Sequence, residues 1–241
     1  MVPAGEMIVT PNQARYVTYR IKYTKTGNLK YISHLDLLRT MQRILHRAEL
    51  PIWYTEGFNP QPKLSFGLPL SVGCESVCEY LDIRLTEPLD CAEVAARIES
   101  AFPREMHVLE VYYPETKYNL IGSAGYTMEI RTSGADEAMA ERIKALFSSE
   151  LIVEKETKRG TKALDLSANI LSLDVCFEEG ALKLCVVLPA SNDQYINPEL
   201  LLSAMQTHLG ILTGNPLEES CDLVRRQVYL ADGVTVFAEN M

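Results

Sequence analysis

Ser33, His34 and Asp36 stand just ahead of three arginines, Arg39, Arg43 and Arg47, that recur every four residues. Those types at that spacing fit the first turn of a helix followed by a cationic ridge along one of its faces. A helix start offers free backbone N–H groups and the positive end of its dipole, so Ser33, His34 and Asp36 suit the holding of an anion. His34 could also move a proton, because an imidazole titrates near working pH. The sequence places no nucleophile beside it, so binding is the stronger reading and no catalytic residue is assigned. The plainer alternative makes His34 an interface or capping residue, Asp36 a helix stabiliser and the ridge a solvated face.

After this helix comes Gly57-Phe58-Asn59-Pro60-Gln61-Pro62-Lys63. Its prolines restrict the backbone and its glycine permits close approach, which predicts one fixed shape. Asn59 and Lys63 would then join the polar surface of the arginines. Trp53, Tyr54, Phe58 and Phe66 flank or occupy the segment, and they could stack on a planar ligand or pack beneath the loop. Lys158, Arg159 and Lys162, and Arg225 with Arg226, are smaller basic spots that could extend the patch if the two halves pack side by side, and ordinary surface charge explains them equally well.

Cys74 and Cys78 have the Cys-x3-Cys spacing that begins the radical SAM cluster signature, but Leu81 occupies the position of the third cysteine. An iron–sulfur cluster needs that thiolate, and a structural zinc site needs a second pair, so no metal is assigned to this chain. The six cysteines are too sparse for a disulfide framework, and Cys176 and Cys185 lie in apolar runs where buried thiols are expected. The phosphate-loop, His-Glu-x-x-His and Gly-x-Ser-x-Gly motifs are absent.

Charge is unevenly distributed. The chain of 241 residues carries a net −9. Between Arg15 and Lys63 there are nine basic residues and three acidic ones, a local +6 that leaves −15 for the remainder. A basic face on an acidic body fits an anionic partner such as RNA, a phosphate or a cofactor tail. No apolar run is long enough for a membrane helix and the start lacks a signal-peptide pattern, so the expectation is a cytoplasmic protein.

The elements that must position these residues follow from pattern. Tyr16–Lys25 reads as a strand, and Ser33 caps a helix that runs to about Ala48 with Leu35, Leu38, Met41, Ile44, Leu45 and Ala48 as its apolar stripe. Strands are expected at Ile52–Tyr54, Glu79–Leu85 and Val108–Tyr112, with a helix over Cys91–Phe102. Gly122–Gly125 reads as a linker. Beyond it lie strands at Tyr126–Arg131, Leu151–Glu156, Ile170–Phe177, Leu182–Leu188 and Asp222–Leu230, with helices at Ala135–Phe147 and from Asn197 to Gly210. The order predicts an α+β protein of two tandem ferredoxin-like (βαββαβ) units with antiparallel sheets, at 15–121 and 125–232. The turns at Thr24-Lys-Thr-Gly27 and Thr157-Lys-Arg-Gly160 echo each other, as a duplication would.

Taken together, Tyr31-Ile-Ser33-His34-Leu-Asp36, Arg39, Arg47-Ala48, Leu50-Pro51, Gly57-Phe58-Asn59-Pro60 and Pro62-Lys63 resemble the bacterial radical SAM-linked (radical SAM-associated) domain of unknown function. Thr157–Gly160, Asp165-Leu166 and Val224–Tyr229 resemble its later motifs. Gln61 departs from the histidine common at that place. The resemblance implies an accessory subunit working with a separate B12-binding-type radical SAM protein. That partner would hold the iron–sulfur cluster, SAM and B12, with none bound by this chain. Three functions are therefore carried forward. The first is an accessory subunit presenting a basic surface to an anion, with RNA as the candidate. The second is an RNA-processing or RNA-modifying enzyme that uses His34, and the third is a protein–protein adaptor.

Overall fold

Tyrosines and branched residues at alternate positions make Val17–Lys25 a strand (β1), with Tyr19, Ile21 and Tyr23 buried on one face. The computed structural model describes residues 16–157, 160–191, 193–213 and 217–237. Its chain divides into two units. One takes the described residues up to Thr24, then Ile32–Pro69 and Glu79–Glu115, and the other takes Lys25–Tyr31, Leu70–Cys78 and the chain from Thr116.

The first unit runs β1, α1 (His34–Arg47), β2 (Ser65–Phe66), β3 (Cys74–Leu85, of which Glu79–Leu85 lie in this unit), α2 (Cys91–Ala101) and β4 (Val108–Tyr112). β4 and β1 are antiparallel, with Ile21 opposite Val111, β3 lies on the other side of β1, and β2 pairs antiparallel to β3 through Ser65 and Asp82. The order β4-β1-β3-β2 is that of a ferredoxin-like unit. The short second strand is Ser65–Phe66 rather than the expected Ile52–Tyr54, which makes only the bridges Ile52–Leu85 and Tyr54–Pro62. Pro51, Pro60 and Pro62 lack the N–H a ladder needs, so the segment passes as a loop.

Helix α1 buries Leu37, Met41, Ile44 and Leu45. Met41, Ile44, Leu45 and Ala48 are buried as expected, but the first turn differs: Leu37 is covered and Leu35 is left exposed. Asp90 caps α2 by accepting from the Ala92 N–H at 2.8 Å.

The second unit runs β5 (Ile121–Arg131), α3 (Glu137–Ser148), β6 (Ile152–Thr157), β7 (Gly160–Asp165), β8 (Ser172–Glu178), β9 (Ala181–Pro189), α4 (Glu199–Leu209) and β10 (Ser220–Leu230). Without the inserted β6–β7 hairpin it is a second βαββαβ, with antiparallel order β10-β5-β9-β8. The first residues of β3 add a parallel pairing on β10, Cys74 to Ser76 against Leu223 to Arg225, which departs from an all-antiparallel expectation. The turn Glu179-Gly180, both at positive φ, closes the β8–β9 hairpin, and Gly210 at φ 69° ends α4.

The Gly122–Gly125 segment is part of β5, not a linker. A Cβ on Gly122 would lie 2.4 Å from Ala231 Cα, so glycine is there because two backbones nearly touch. Cys185 is exposed and Cys176 half-buried, against the expectation that both are covered; β9 places Cys185 between the buried Leu184 and Val186, on its outward face. Among the described residues no helix is long and apolar enough to cross a membrane.

Candidate functional site

The start of α1 is built as its residues predict. Ser33 accepts from the Asp36 N–H at 3.2 Å and its hydroxyl donates to Asp36 Oδ2 at 2.7 Å. Both residues are thereby engaged in holding the first turn. Asp36 also faces Arg39 at 3.5 Å across one turn. The ring of His34 meets Phe66 edge-on at 5.0 Å, and among the described residues no acid or base hydrogen-bonds to it. The geometry gives His34 the setting of a packed surface residue, without the oriented partner that proton transfer uses.

The three arginines differ although their spacing is equal. Arg47 donates to the Ala101 carbonyl at 2.6 Å, at the end of α2, where carbonyls lack partners within the helix. Arg39 is loosely held by Asp36. Arg43 is exposed, with no ion-pair or hydrogen-bond partner among the described residues.

These side chains form one wall of an open groove of about 930 Å³. Helix α1 supplies Arg39, Gln42, Arg43 and His46 to it, with Arg47 at the end. The facing wall is Tyr54 with Pro60, Gln61 and Pro62, and it carries no acidic side chain. Gln42, His46 and Gln61 were not among the residues expected at the site, whereas Tyr54 was expected only as a residue that stacks on a ligand or packs beneath the loop. The signal for Gln42 and His46 was present, since each sits three residues after Arg39 or Arg43 and shares that face of the helix.

The facing wall is held in shape by its own backbone. The Thr55 N–H donates to the Gln61 carbonyl at 2.9 Å, and the Gln61 N–H donates to Thr55 Oγ1 at 3.1 Å. Tyr54 bridges to Pro62, and Asn59 Oδ1 accepts from the Gln61 amide at 3.3 Å. Residues 56–60 thus project as a closed loop, with Gly57 at φ 135°, a conformation L side chains rarely adopt. Phe58 lies within that loop at 109% relative exposure, and Tyr54 is 46% exposed. Trp53 has another use. Its N–H donates to the Arg84 carbonyl, and the Arg84 guanidinium lies 4.1 Å over Tyr16 and 5.5 Å over Trp53. Lys63 is exposed just past the loop.

The basic count over 15–63 does not translate into one face. Arg20 is buried and forms a two-pronged pair with Asp82 at 2.7 and 2.9 Å. Lys25 is buried, and Lys30 is paired with Glu75 and Asp222. Arg225, expected on the surface, is 1% exposed within β10, because inward and outward positions alternate along a strand. Arg226 donates to Thr127 Oγ1 at 2.9 Å. Lys158 and Arg159 lie outside the described residues. Ser33, His34, Asp36, Arg39, Arg43, Arg47, Asn59 and Lys63 all belong to the first unit, and the groove brings Arg39, Arg43 and Arg47 together opposite the loop that contains Asn59.

Comparison with solved structures finds distant likenesses. One is a chain in the crystal structure of a Cbf5–Nop10–Gar1 complex, at 15% identity and TM-score 0.45. The alignment covers 87% of this chain and 48% of that one, so this protein spans about half the length of that relative. Another is an unknown protein from Galdieria sulphuraria, at 10% identity and TM-score 0.25, covering 87% of this chain and 98% of that one. At these values the likenesses say nothing about function. No curated protein matches the chain. One family does, described as "Uncharacterized protein conserved in bacteria (DUF2344)", and it covers residues 18–198, about three quarters of the sequence and the whole of the helix-and-loop segment. This chain belongs to that bacterial family.

Proposed function

We propose that this protein is the binding component of an assembly whose redox chemistry lies on a separate radical SAM protein, and that its α1 groove receives an anionic substrate, with RNA as the candidate. One observation carries the binding half of this reading. On a chain of net −9, Arg39 and Arg43 stand one turn apart on the wall of a groove whose facing wall is free of acids. Arg43 is unpaired among the described residues and Arg39 is held only by an exposed carboxylate at 3.5 Å, and exposed guanidiniums of that kind are suited to phosphate oxygens, which they can meet through two N–H donors at once. The radical SAM partner rests on the resemblance of Tyr31 to Lys63 to the radical SAM-linked domain.

The test measures affinity for a nucleic-acid polyanion as a function of salt. The wild-type protein should lose affinity steeply as salt rises, and the Arg39→Ala, Arg43→Ala double variant should lose at least tenfold at low salt. Unchanged affinity in the double variant would remove the groove from the argument. Native capture of the protein from bacterial cells should bring down a radical SAM protein. A capture that lacks one sinks that half of the reading.

A further inference from the structure

We propose that the ligand of the α1 groove is an unpaired nucleic acid strand, with phosphates on Arg39 and Arg43 and a base on the aromatic wall formed by Tyr54 and Phe58. This rests on the anion-binding reading above and adds the form of the anion.

The first support is spacing. Arg39 and Arg43 are four residues apart in a regular helix, which places their attachment points about 6 Å apart along the axis. That step is commensurate with successive phosphates of one strand. Arg47 is drawn away to the Ala101 carbonyl, so the ridge offers Arg43, unpaired among the described residues, and Arg39, held only by the exposed Asp36 at 3.5 Å.

The second support is independent of charge. Phe58 is held in water by a loop that cannot easily collapse onto the protein. Its ends are fastened by the Thr55–Gln61 hydrogen bonds and the Tyr54–Pro62 bridge, and its interior is restricted by Gly57 at φ 135° and by Pro60. A single exposed apolar residue is ordinary. An aromatic ring on a braced loop, beside a cationic groove lined by a second half-exposed ring, is the combination used to stack bases while arginines track the backbone. Gln42 and Gln61, on opposite walls, present amides that can both donate and accept at a base edge. A base paired within a duplex shows neither face to a side chain, so the aromatic wall selects for unpaired nucleotides.

The experiment titrates the whole protein with four labelled probes. These are an unstructured RNA of about 12 nucleotides, the DNA of the same sequence, the same RNA annealed to its complement, and inorganic polyphosphate. An acidic peptide of similar length serves as a fifth. The RNA or DNA single strand should bind at least about tenfold more tightly than the duplex. Phe58→Ala, at a fully exposed position where folding is not at issue, should weaken the single strand about 5- to 150-fold and leave polyphosphate unaffected. Arg43→Ala should lower the salt slope by about 0.7 for the single strands and by about 0.9 for the duplex. Equal binding of strand, duplex and polyphosphate, with Phe58→Ala silent, would overturn the unpaired-strand inference while leaving an anion groove. Binding of none would overturn both. Preference for the acidic peptide would replace the strand by a protein partner.

Discussion

Three arginines at identical helical spacing should separate cleanly when each is removed. Arg47 donates to the Ala101 carbonyl at 2.6 Å, where it meets both an orphan acceptor and the negative end of α2. A hydrogen bond from a charged donor contributes about 1.5–3 kcal/mol when shielded, and less here because Arg47 is exposed. With about 0.3–1 kcal/mol from the helix dipole, Arg47→Ala should cost about 1–2 kcal/mol. Arg43 touches no such partner among the described residues, and alanine is at least as good a helix former, so Arg43→Ala should stay within about 0.5 kcal/mol of wild type. Urea denaturation followed by circular dichroism reads the difference. At a slope near 2 kcal/mol per molar urea, Arg47→Ala moves the midpoint down by about 0.5–1 M and Arg43→Ala leaves it in place. Binding to a single-stranded probe should show the opposite ranking. If Arg47→Ala proves stable and loses binding as Arg43→Ala does, the assignment of Arg47 to the α2 terminus is wrong and the ridge acts as one surface.

Elsewhere the fold makes firm demands. Asp82→Ala leaves Arg20 buried without its two-pronged partner and should destabilise by about 3–5 kcal/mol; a loss under 1 kcal/mol in equilibrium denaturation would mean water replaces the carboxylate freely. Gly122→Ala drives a Cβ to within 2.4 Å of the Ala231 backbone, which cannot swing aside, and should cost about 1–3 kcal/mol, read as a lower melting temperature. The Glu99 carboxyl is held below its ordinary range first by the Val108 N–H at 2.7 Å and then by His107 at 3.0 Å. A depressed carboxyl pKa stabilises fully above about pH 4.3 and loses that contribution as pH falls through the folded value. Glu99→Gln should therefore flatten the decline in denaturation midpoint between about pH 5 and pH 3, and an unaltered acid limb would contradict that assignment.

What could be read from sequence was local chemistry. Ser33 and Asp90 announce helix starts because a cap needs only the next two or three N–H groups, and Gly210 announces a helix end for an equally local reason. The order of elements followed, and with it both ferredoxin-like units. What could not be read was pairing across long separations. Ile52–Tyr54 has strand-like composition, but whether it joins a ladder is decided by the prolines around it and by β3, which accepts Ser65–Phe66 instead. The same limit governs the charges. Arg20 looks like surface until Asp82, 62 positions later, is known to sit beside it, and Arg225 looks like surface until β10 turns it inward.

The site divides along that same line, and the division strengthens the case for the groove. Local pattern placed Arg39, Arg43 and Arg47 on one face, and the loop prolines implied a fixed partner wall. Long-range contacts then removed Arg20, Lys25, Lys30 and Arg47 from the pool of available cations by giving each a structural environment or partner. The opposite held for Arg43 and Phe58. Among the described residues neither has a hydrogen-bond or ion-pair partner, and Phe58 is fully exposed. Arg43 on the wall of the groove and Phe58 on the braced loop beyond Pro60 are therefore the two side chains on which the proposed strand-binding reading stands or falls, and the paired Arg43→Ala and Phe58→Ala titrations decide it.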